Sequence, residues 1–173
     1  MYSKKIALTL SVSFLFLGDG ITKAQTMSMQ DMTGNANKHI YLRMMDTMAI
    51  NMEHLSSFTS TDVNFLKQMI SHHQGAVAMA KYEIENGKNF EMIQLAKSIL
   101  EEQKIEIQEM ILWIQSLTLK ETAPPGYENG MSKTMSDMMD HMPENKILLD
   151  LDKSFASVMI PHHQAAIDMA GVC

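Results

Sequence analysis

The chain has a single cysteine, four prolines and one tryptophan among 173 residues. These low counts restrict the ways in which the fold can be stabilised. Because Cys173 is alone, no intramolecular disulfide can form, and stability must come from a core, a bound metal or a partner chain. Beyond residues 6–17, no apolar run suggests a membrane segment. The net charge of −6 argues against nucleic acid as a partner and favours cations.

Methionine is the residue in excess, with 19 copies. Met is flexible and apolar, and it often merely fills a helical core. Met27, Met29 and Met32, however, lie in a polar segment where no core is expected. Such a location is typical of thioether ligands or of an oxidant sink. The excess therefore points to metal chemistry in addition to packing.

The first 24 residues read as a secretory signal. Lys4 and Lys5 precede the apolar run 6–17, and the Thr-Lys-Ala of residues 22–24 suits a cleavage site. We therefore expect an exported protein, periplasmic or secreted, with no membrane segment after cleavage. An uncleaved N-terminal anchor is the alternative.

A nineteen-residue stretch occurs twice, at an offset of 90 residues. Residues 62–80 read DVNFLKQMISHHQGAVAMA and residues 152–170 read DKSFASVMIPHHQAAIDMA, with ten identical positions. The repeat also extends towards the N-terminus, where three methionines in each copy share one register: Met45, Met48 and Met52 align with Met135, Met138 and Met142. An internal repeat of this kind indicates two copies of one structural unit that pack together.

Periodicity and capping signals divide the chain into helices, with no credible strand. We predict helices over about residues 39–56, 62–86, 89–117 and 131–142, and a last helix that begins at Asp152. The predicted organisation is a signal (1–24), a polar Met-containing arm (25–38), a first helical repeat (39–118), a linker (119–130) and a second repeat (131–173). The fold class is all-α, a bundle of two similar repeats, of which the second lacks its last long helix. A second copy of the chain could complete the bundle as a homodimer, whereas a truncated chain is the alternative.

Histidine and methionine share one face of each repeated helix. At about 100° per residue, Met69, His72, His73 and Met79 fall on the apolar side, and Gln74 points away. Thioethers favour Cu(I), and imidazole adds tolerance of Cu(II). The candidate ligands in the two copies are His72, His73, Met69 and Met79, with His162, His163, Met159 and Met169. The alternative is that each histidine is a core residue satisfied by a hydrogen bond.

Further ligand candidates surround this motif. The trios Met45, Met48, Met52 and Met135, Met138, Met142 are either additional Cu(I) ligands or core residues. His141 lies among Met138, Met139 and Met142 and is a plausible extra ligand, whereas His39 and His54 resemble ordinary surface residues.

Two polar residues interrupt or border the apolar stripe of the third helix. Gln103 lies in its middle and needs a buried partner, for which the inward histidines are suitable. Glu106 can accept a hydrogen bond from an imidazole N–H, which would leave the other ring nitrogen as a ligand. We therefore place Gln103 and Glu106 around the metal ligands. In the second copy, Pro161 replaces Ser71 and is expected to kink the helix just before His162.

These residues resemble the bacterial family catalogued as domain of unknown function 305. MISHHQGAVAMA and MIPHHQAAIDMA are similar to its His-His-Gln motif, and residues 95–114 are similar to its pattern A-x-x-I-x-x-x-Q-x-x-E-I-x-x-M-x-x-W. The resemblance implies a ferritin-like helical bundle, secreted or periplasmic, whose Met-rich members are linked to copper binding and resistance. The chain departs from the pattern by lacking the second long helix.

Three functions remain open. The preferred one is an exported copper-binding protein, a buffer, chaperone or resistance factor for Cu(I) rather than an enzyme. The second is a non-catalytic structural or interaction module whose His-His-Gln motif makes helix–helix hydrogen bonds. The third, a redox enzyme, needs an open coordination position that no motif identifies. A zinc site would more often use Cys, and the absence of Glu-x-x-His argues against di-iron chemistry.

Overall fold

The computed structural model describes residues 37–55, 60–117 and 125–172. Over these ranges the chain forms five α-helices and no strand, which confirms the all-α bundle. They are α1 (Ile40–Glu53), α2 (Thr61–Asn86), α3 (Phe90–Ser116), α4 (Tyr127–Asp140) and α5 (Leu151–Ala170), with a 3₁₀ turn at Asn145–Ile147. None of the helices in these ranges is both long enough and apolar enough to span a bilayer. The predicted signal, nearly all of the predicted arm and Cys173 lie outside the described residues.

The helices α3 and α5 each begin where a side chain satisfies a free backbone N–H group. Asn89 accepts a hydrogen bond from the Met92 N–H at 3.0 Å at the start of α3, and Asp150 accepts one from the Lys153 N–H at 2.9 Å at the start of α5. Gly126, which precedes α4, has a φ of 92°, a left-handed conformation that glycine adopts without strain. The helix α4 consequently begins at Tyr127, inside the segment predicted to be a linker.

The five helices form two repeated hairpins and one additional helix. α1 packs on α2, α4 packs on α5, and the hairpins meet where α2 contacts α5. α3 packs along α2, and no helix of the described ranges covers α5 to the same extent. α5 passes through Pro161 as a single helix, with helical residues on both sides of the proline. The histidine motifs of the two repeats therefore face each other across the α2–α5 contact.

Methionine supplies much of the core. Met45, Met79 and Met169 are fully buried together with the rings of Tyr41 and Phe155. The flexible thioether side chain can fill irregular spaces between helices that branched residues would not fit. The burial of Met45 agrees with the packing role that was the alternative for its trio.

A network of buried hydrogen bonds connects the helices at one end of the bundle. The Tyr41 hydroxyl of α1 donates to Glu83 Oε2 of α2 at 2.5 Å. Asp152 of α5 accepts hydrogen bonds from the N–H groups of Lys88 and Asn89, at 2.9 and 2.8 Å. Burial raises the pKa of the Glu83 carboxyl, and the neighbouring Asp152 carboxylate raises it further. The network joins α1, α2 and α5 to the start of α3.

Candidate functional site

The first histidine of each motif lies in the contact between α2 and α5. The rings of His72 and His162 stack with centroids 3.7 Å apart and an interplanar angle of 27°. His162 Nε2 is 3.2 Å from the His72 carbonyl oxygen, and because a carbonyl only accepts, this nitrogen carries the proton. Both rings are almost completely buried. We call this stack the inner pair.

The inner pair leaves ring nitrogens without hydrogen-bond partners. His72 Nδ1, His72 Nε2 and His162 Nδ1 are buried and make no hydrogen bond within the described residues. Buried polar atoms without partners are rare in native proteins, and bound water or an ion is a frequent reason for them. These nitrogens lie in the α2–α5 contact, beside the second histidine of each motif.

Burial keeps the inner pair neutral. Loss of hydration lowers the pKa of His72 to about 3, and the nearby His73 and His163 rings contribute in the same direction. Burial likewise lowers the pKa of His162 well below its ordinary value, with a further contribution from His72. At neutral pH both rings are therefore uncharged, the form in which imidazole can ligate a metal.

The second histidine of the first motif, His73, pairs with α3. Its Nε2 lies 2.9 Å from Glu106 Oε2, as the sequence predicted. The carboxylate accepts a hydrogen bond from the Nε2–H group, so that Nδ1 carries the lone pair of the neutral ring. Burial lowers the pKa of His73, and the Glu106 carboxylate opposes this shift. A carboxylate that orients one ring nitrogen while the other stays free is the usual arrangement around a metal-ligating histidine.

The second histidine of the other motif, His163, has a different hydrogen bond. Its Nδ1 lies 2.9 Å from the carbonyl oxygen of Met159 in the same helix, so that Nδ1 donates and Nε2 carries the lone pair. His163 is only half-buried, in contrast to His162. We call His73 and His163 the outer pair.

The outer pair lines an open cavity of about 540 Å³ bounded by α2, α3 and α5, which we call the groove. The thioethers of Met69 and Met110 line it too, with the carboxylates of Glu106 and Glu109. Its lining therefore combines two imidazoles, two thioethers and two carboxylates, a set of donors suited to a soft or borderline cation. The complete lining of the groove is Phe65, Leu66, Met69, His73, Gln103, Glu106, Glu109, Met110, Trp113, His163, Ala166, Ile167 and Ala170.

Several predicted ligands lie away from the groove. Met79 and Met169 are fully buried, and Met159 is also buried; none of the three lines the groove. His141 is exposed, ends α4, and its Nδ1 donates to the Asp137 carbonyl oxygen at 2.6 Å. The structure thus brings together only part of the predicted ligand set.

The two methionine trios divide between the core and a second cavity. Met45, Met48 and Met138 are buried, and a Cβ added to Gly75 would lie 2.6 Å from Met48 Sδ. Met52 and Met135 line a cavity between α1 and α4, and Met142 is half-buried outside it. The repeat therefore aligns residues that the tertiary structure places in different surroundings.

Gln103 and the surface histidines depart in part from their predicted roles. Gln103 is buried in the lining of the groove, but its Oε1 makes no hydrogen bond to a histidine or to any other described residue. His54 is exposed and ends α1, as expected for a surface residue. His39 has a local structural role, because its Nδ1 accepts a hydrogen bond from the Tyr41 N–H at 3.3 Å at the start of α1.

Met110 was not among the ligands predicted from the sequence. It belongs to the apolar stripe of α3, and its spacing of seven from Gln103 and four from Glu106 places it on the same helical face as both. Because Glu106 was expected to contact a histidine, the spacing of Met110 from Glu106 could have indicated that Met110 also lies near that histidine. Within the described ranges, no group of three or more His, Cys, Asp or Glu side chains is positioned to hold a metal. A metal in the groove would therefore need thioether ligands in addition to the outer pair.

Comparison with known families gives one result. The family model described as "Domain of unknown function (DUF305)" matches twice, over residues 16–114 and 62–173. The two matches overlap across α2 and most of α3, and together they include both His-His-Gln motifs. No curated protein and no solved structure matches the chain. Since the matches extend over most of its length, the chain belongs to the DUF305 family.

Proposed function

We propose that the protein binds copper in the groove and acts as an exported buffer, chaperone or resistance factor for Cu(I). The observation that carries this proposal is the juxtaposition of His73 and His163 with Met69 and Met110 around one open cavity. Two imidazoles and two thioethers suit Cu(I), and the imidazoles also tolerate Cu(II).

The hydrogen bonds of the outer pair support this proposal. His73 Nδ1 and His163 Nε2 are the ring nitrogens left with lone pairs, because the opposite nitrogens donate to Glu106 and to the Met159 carbonyl. The carboxylate at Glu106 fixes the tautomer of His73 and increases its basicity as a ligand. Each ring can therefore keep its hydrogen bond to Glu106 or to the Met159 carbonyl while the other nitrogen binds a cation.

The inner pair has a different role in this proposal. Stacking and the His162–His72 hydrogen bond hold α2 and α5 in register, and this register brings the outer pair to one groove. The motif thus combines one structural histidine and one ligand in each copy. The predicted signal would deliver this site to an extracytoplasmic compartment, where copper is encountered.

A competition experiment tests the copper site. The chain carrying Cys173→Ser, so that no thiol competes, is titrated with Cu(I) against a chromogenic chelator. His73→Ala/His163→Ala should lose about one equivalent of tightly held Cu(I). The matched control is His54→Ala/His141→Ala, which removes two exposed histidines outside the groove. Unchanged uptake by the outer-pair variant would refute the assignment.

A second function is favoured by the inner pair itself. The hydrogen bond from His162 to the His72 carbonyl is the contact expected of a structural or interaction module without a metal. In that case copper and a chelator should both leave the melting temperature unchanged. A copper site in the folded protein predicts instead that Cu(I) raises the melting temperature in a concentration-dependent way.

A further inference from the structure

A second cavity, of about 420 Å³, lies between α1, the first turns of α2 and α4. Its lining shares no residue with the groove. Four methionines contribute to it: Met52 from α1, and Met131, Met135 and Met139 from α4. We call it the methionine cavity. It exists because α4 packs mainly on α5, which leaves space between α4 and α1.

The spacing of the α4 methionines brings three thioethers to one side of the helix. Met131, Met135 and Met139 follow each other at intervals of four residues, which places them on one helical face. Met52 approaches the same cavity from α1. Met52 and Met131 are buried, whereas Met135 and Met139 are half-buried, so that thioethers line both the inner and the more accessible part.

Packing alone does not account for this arrangement. Protein interiors are closely packed, and a methionine that only fills a core leaves little empty volume beside it. Met45, Met79 and Met169 behave in that way, because they are fully buried and line neither cavity. The methionines of the second cavity instead border space that is open to a ligand.

The other groups of the lining are compatible with a cation. The described lining contains two carboxylates, those of Glu53 and Glu128, and one ammonium group, that of Lys67. Gln68 also belongs to the lining, and its buried Oε1 atom has no hydrogen-bond partner within the described ranges. Among the described residues, no histidine or cysteine lines this cavity, so that thioether sulfur is the only soft donor they offer there.

We propose that Met52, Met131, Met135 and Met139 form a second, thioether-only site for a soft monovalent cation, Cu(I) or Ag(I). Thioethers bind such ions and have little affinity for Cu(II) or Zn²⁺ when no imidazole or thiolate assists. This site is separate from the groove in its residues and in its chemistry. It extends the function from one mixed site to two sites, of which the second accepts only the reduced, soft ion.

The two sites should respond differently to acid. Imidazole must lose its proton before it binds a metal, so that occupancy of a histidine site falls as pH decreases. A thioether has no proton to lose in this range. Ag(I) in the methionine cavity should therefore be retained between about pH 7.5 and about pH 5, because the ordinary pKa of histidine lies between these values whereas thioethers do not titrate there.

The test uses Ag(I) and the chain with Cys173→Ser, labelled with ¹³C at the methionine methyl groups. Adding His73→Ala/His163→Ala removes the outer pair and leaves the methionine cavity unaltered. At about pH 5 this protein should retain about one equivalent of Ag(I) at the cavity, and the methyl signals of Met131, Met135 and Met139 should shift. Signals are assigned by single Met→Leu substitutions, which nearly conserve volume.

The decisive variant is Met135→Leu/Met139→Leu, which alters the half-buried thioethers and keeps Met52 and Met131 in place. It should lose this equivalent, while Met44→Leu/Met92→Leu, two half-buried methionines outside the cavity, should keep it. The proposal is overturned if the cavity signals do not shift, or if the Met135/Met139 variant binds as the control does. Failure of the groove site would appear separately, as unchanged Cu(I) uptake after loss of the outer pair.

Discussion

His162 donates a hydrogen bond from Nε2 to the backbone carbonyl of His72 while its ring stacks on the His72 ring, 3.7 Å away. The two residues are equivalent positions of the repeat, 90 residues apart in the chain. One pair of repeated histidines thus joins the two repeated hairpins to each other. The adjacent pair, His73 and His163, lines the groove bounded by α2, α3 and α5.

The inner pair should make the metal-free protein sensitive to acid. Burial lowers the pKa of His72 to about 3 and that of His162 well below 6.5, so that below pH 6.5 the unfolded chain binds more protons than the folded chain. Stability is therefore fully present above pH 6.5 and decreases as the pH falls towards 3. Each ring contributes a slope of about 1.4 kcal/mol per pH unit to the free energy of unfolding.

Urea unfolding at several pH values, with a chelator present, measures this slope. His162→Gln keeps a side-chain donor but cannot titrate, and it should reduce the slope by about one proton. His54→Gln, at an exposed position, serves as the control and should leave the slope unchanged. Equal slopes for wild type and His162→Gln would contradict the role of the inner pair.

Glu106→Gln should weaken copper binding in the groove. The carboxylate that accepts the His73 Nε2 proton would be replaced by a neutral amide, so that the ring loses its charged partner. Loss of such a partner typically lowers metal affinity about 10–100-fold. Chelator competition measures the change, and Glu109→Gln, in the same groove but without a hydrogen bond to His73, is the control. If both variants bind equally, Glu106 does not orient a ligand.

Tyr41→Phe should destabilise the fold through Glu83. The Tyr41 hydroxyl donates to a carboxylate oxygen in a fully buried environment, and its removal leaves that oxygen without its donor. We expect a loss of about 1–3 kcal/mol in the free energy of unfolding. Tyr82→Phe removes a hydroxyl from the neighbouring, half-buried ring and should have a much smaller effect. Comparable losses in thermal or urea unfolding would show that Glu83 does not depend on Tyr41.

Asp152→Ala should lower the melting temperature by several degrees. Asp152 accepts hydrogen bonds from the Lys88 and Asn89 N–H groups, and so α5 caps the start of α3. The repeat supplies a matched control, because Asp62 is the equivalent residue of α2 and is exposed. Calorimetry should show a clear decrease for Asp152→Ala and little change for Asp62→Ala. The reverse order would exclude the capping role.

Pro161→Ser should stabilise the protein. Proline removes one backbone donor and crowds the preceding helical turn, at a typical cost of about 3 kcal/mol in a helix interior. Serine is the residue that the first repeat has at this position, Ser71. We expect a gain in the free energy of unfolding of about 1–3 kcal/mol, and a loss for Ser71→Pro. A lower stability of Pro161→Ser would mean that the surrounding packing requires the proline ring.

The inward orientation of Glu106 on α3 was predictable from helical periodicity, whereas its choice of His73 as partner depends on how α2 and α3 pack. The burial of Met69, His72, His73 and Met79 followed from the same periodicity, as did the exposure of Gln74. The long helix α3 could be predicted from an uninterrupted stripe without Pro or Gly. In each case the residues belong to one helix, where their spacing along the chain determines which side of the helix they share.

The different roles of the two adjacent histidines in each motif could not be predicted in this way. His72 and His162 are stacked, and His73 and His163 line the groove, because the α2–α5 contact determines which ring faces the other hairpin. Met48 and Met52 are both buried but only Met52 lines the methionine cavity, a difference that depends in the same way on where α4 lies. Gln103 was expected to bond a histidine, but its Oε1 has no partner in the described part of the chain.

By itself, therefore, the sequence determined that the chain is helical, that it is duplicated, and which residues of each helix turn inward. Those properties follow from the helical period of 3.6 residues and from a repeat that is visible in the sequence itself. Which inward residues meet depends on how the helices pack. That outcome depends on contacts between α2, α3, α4 and α5, whose angles and separations arise from the packing of whole side-chain surfaces rather than from any local spacing.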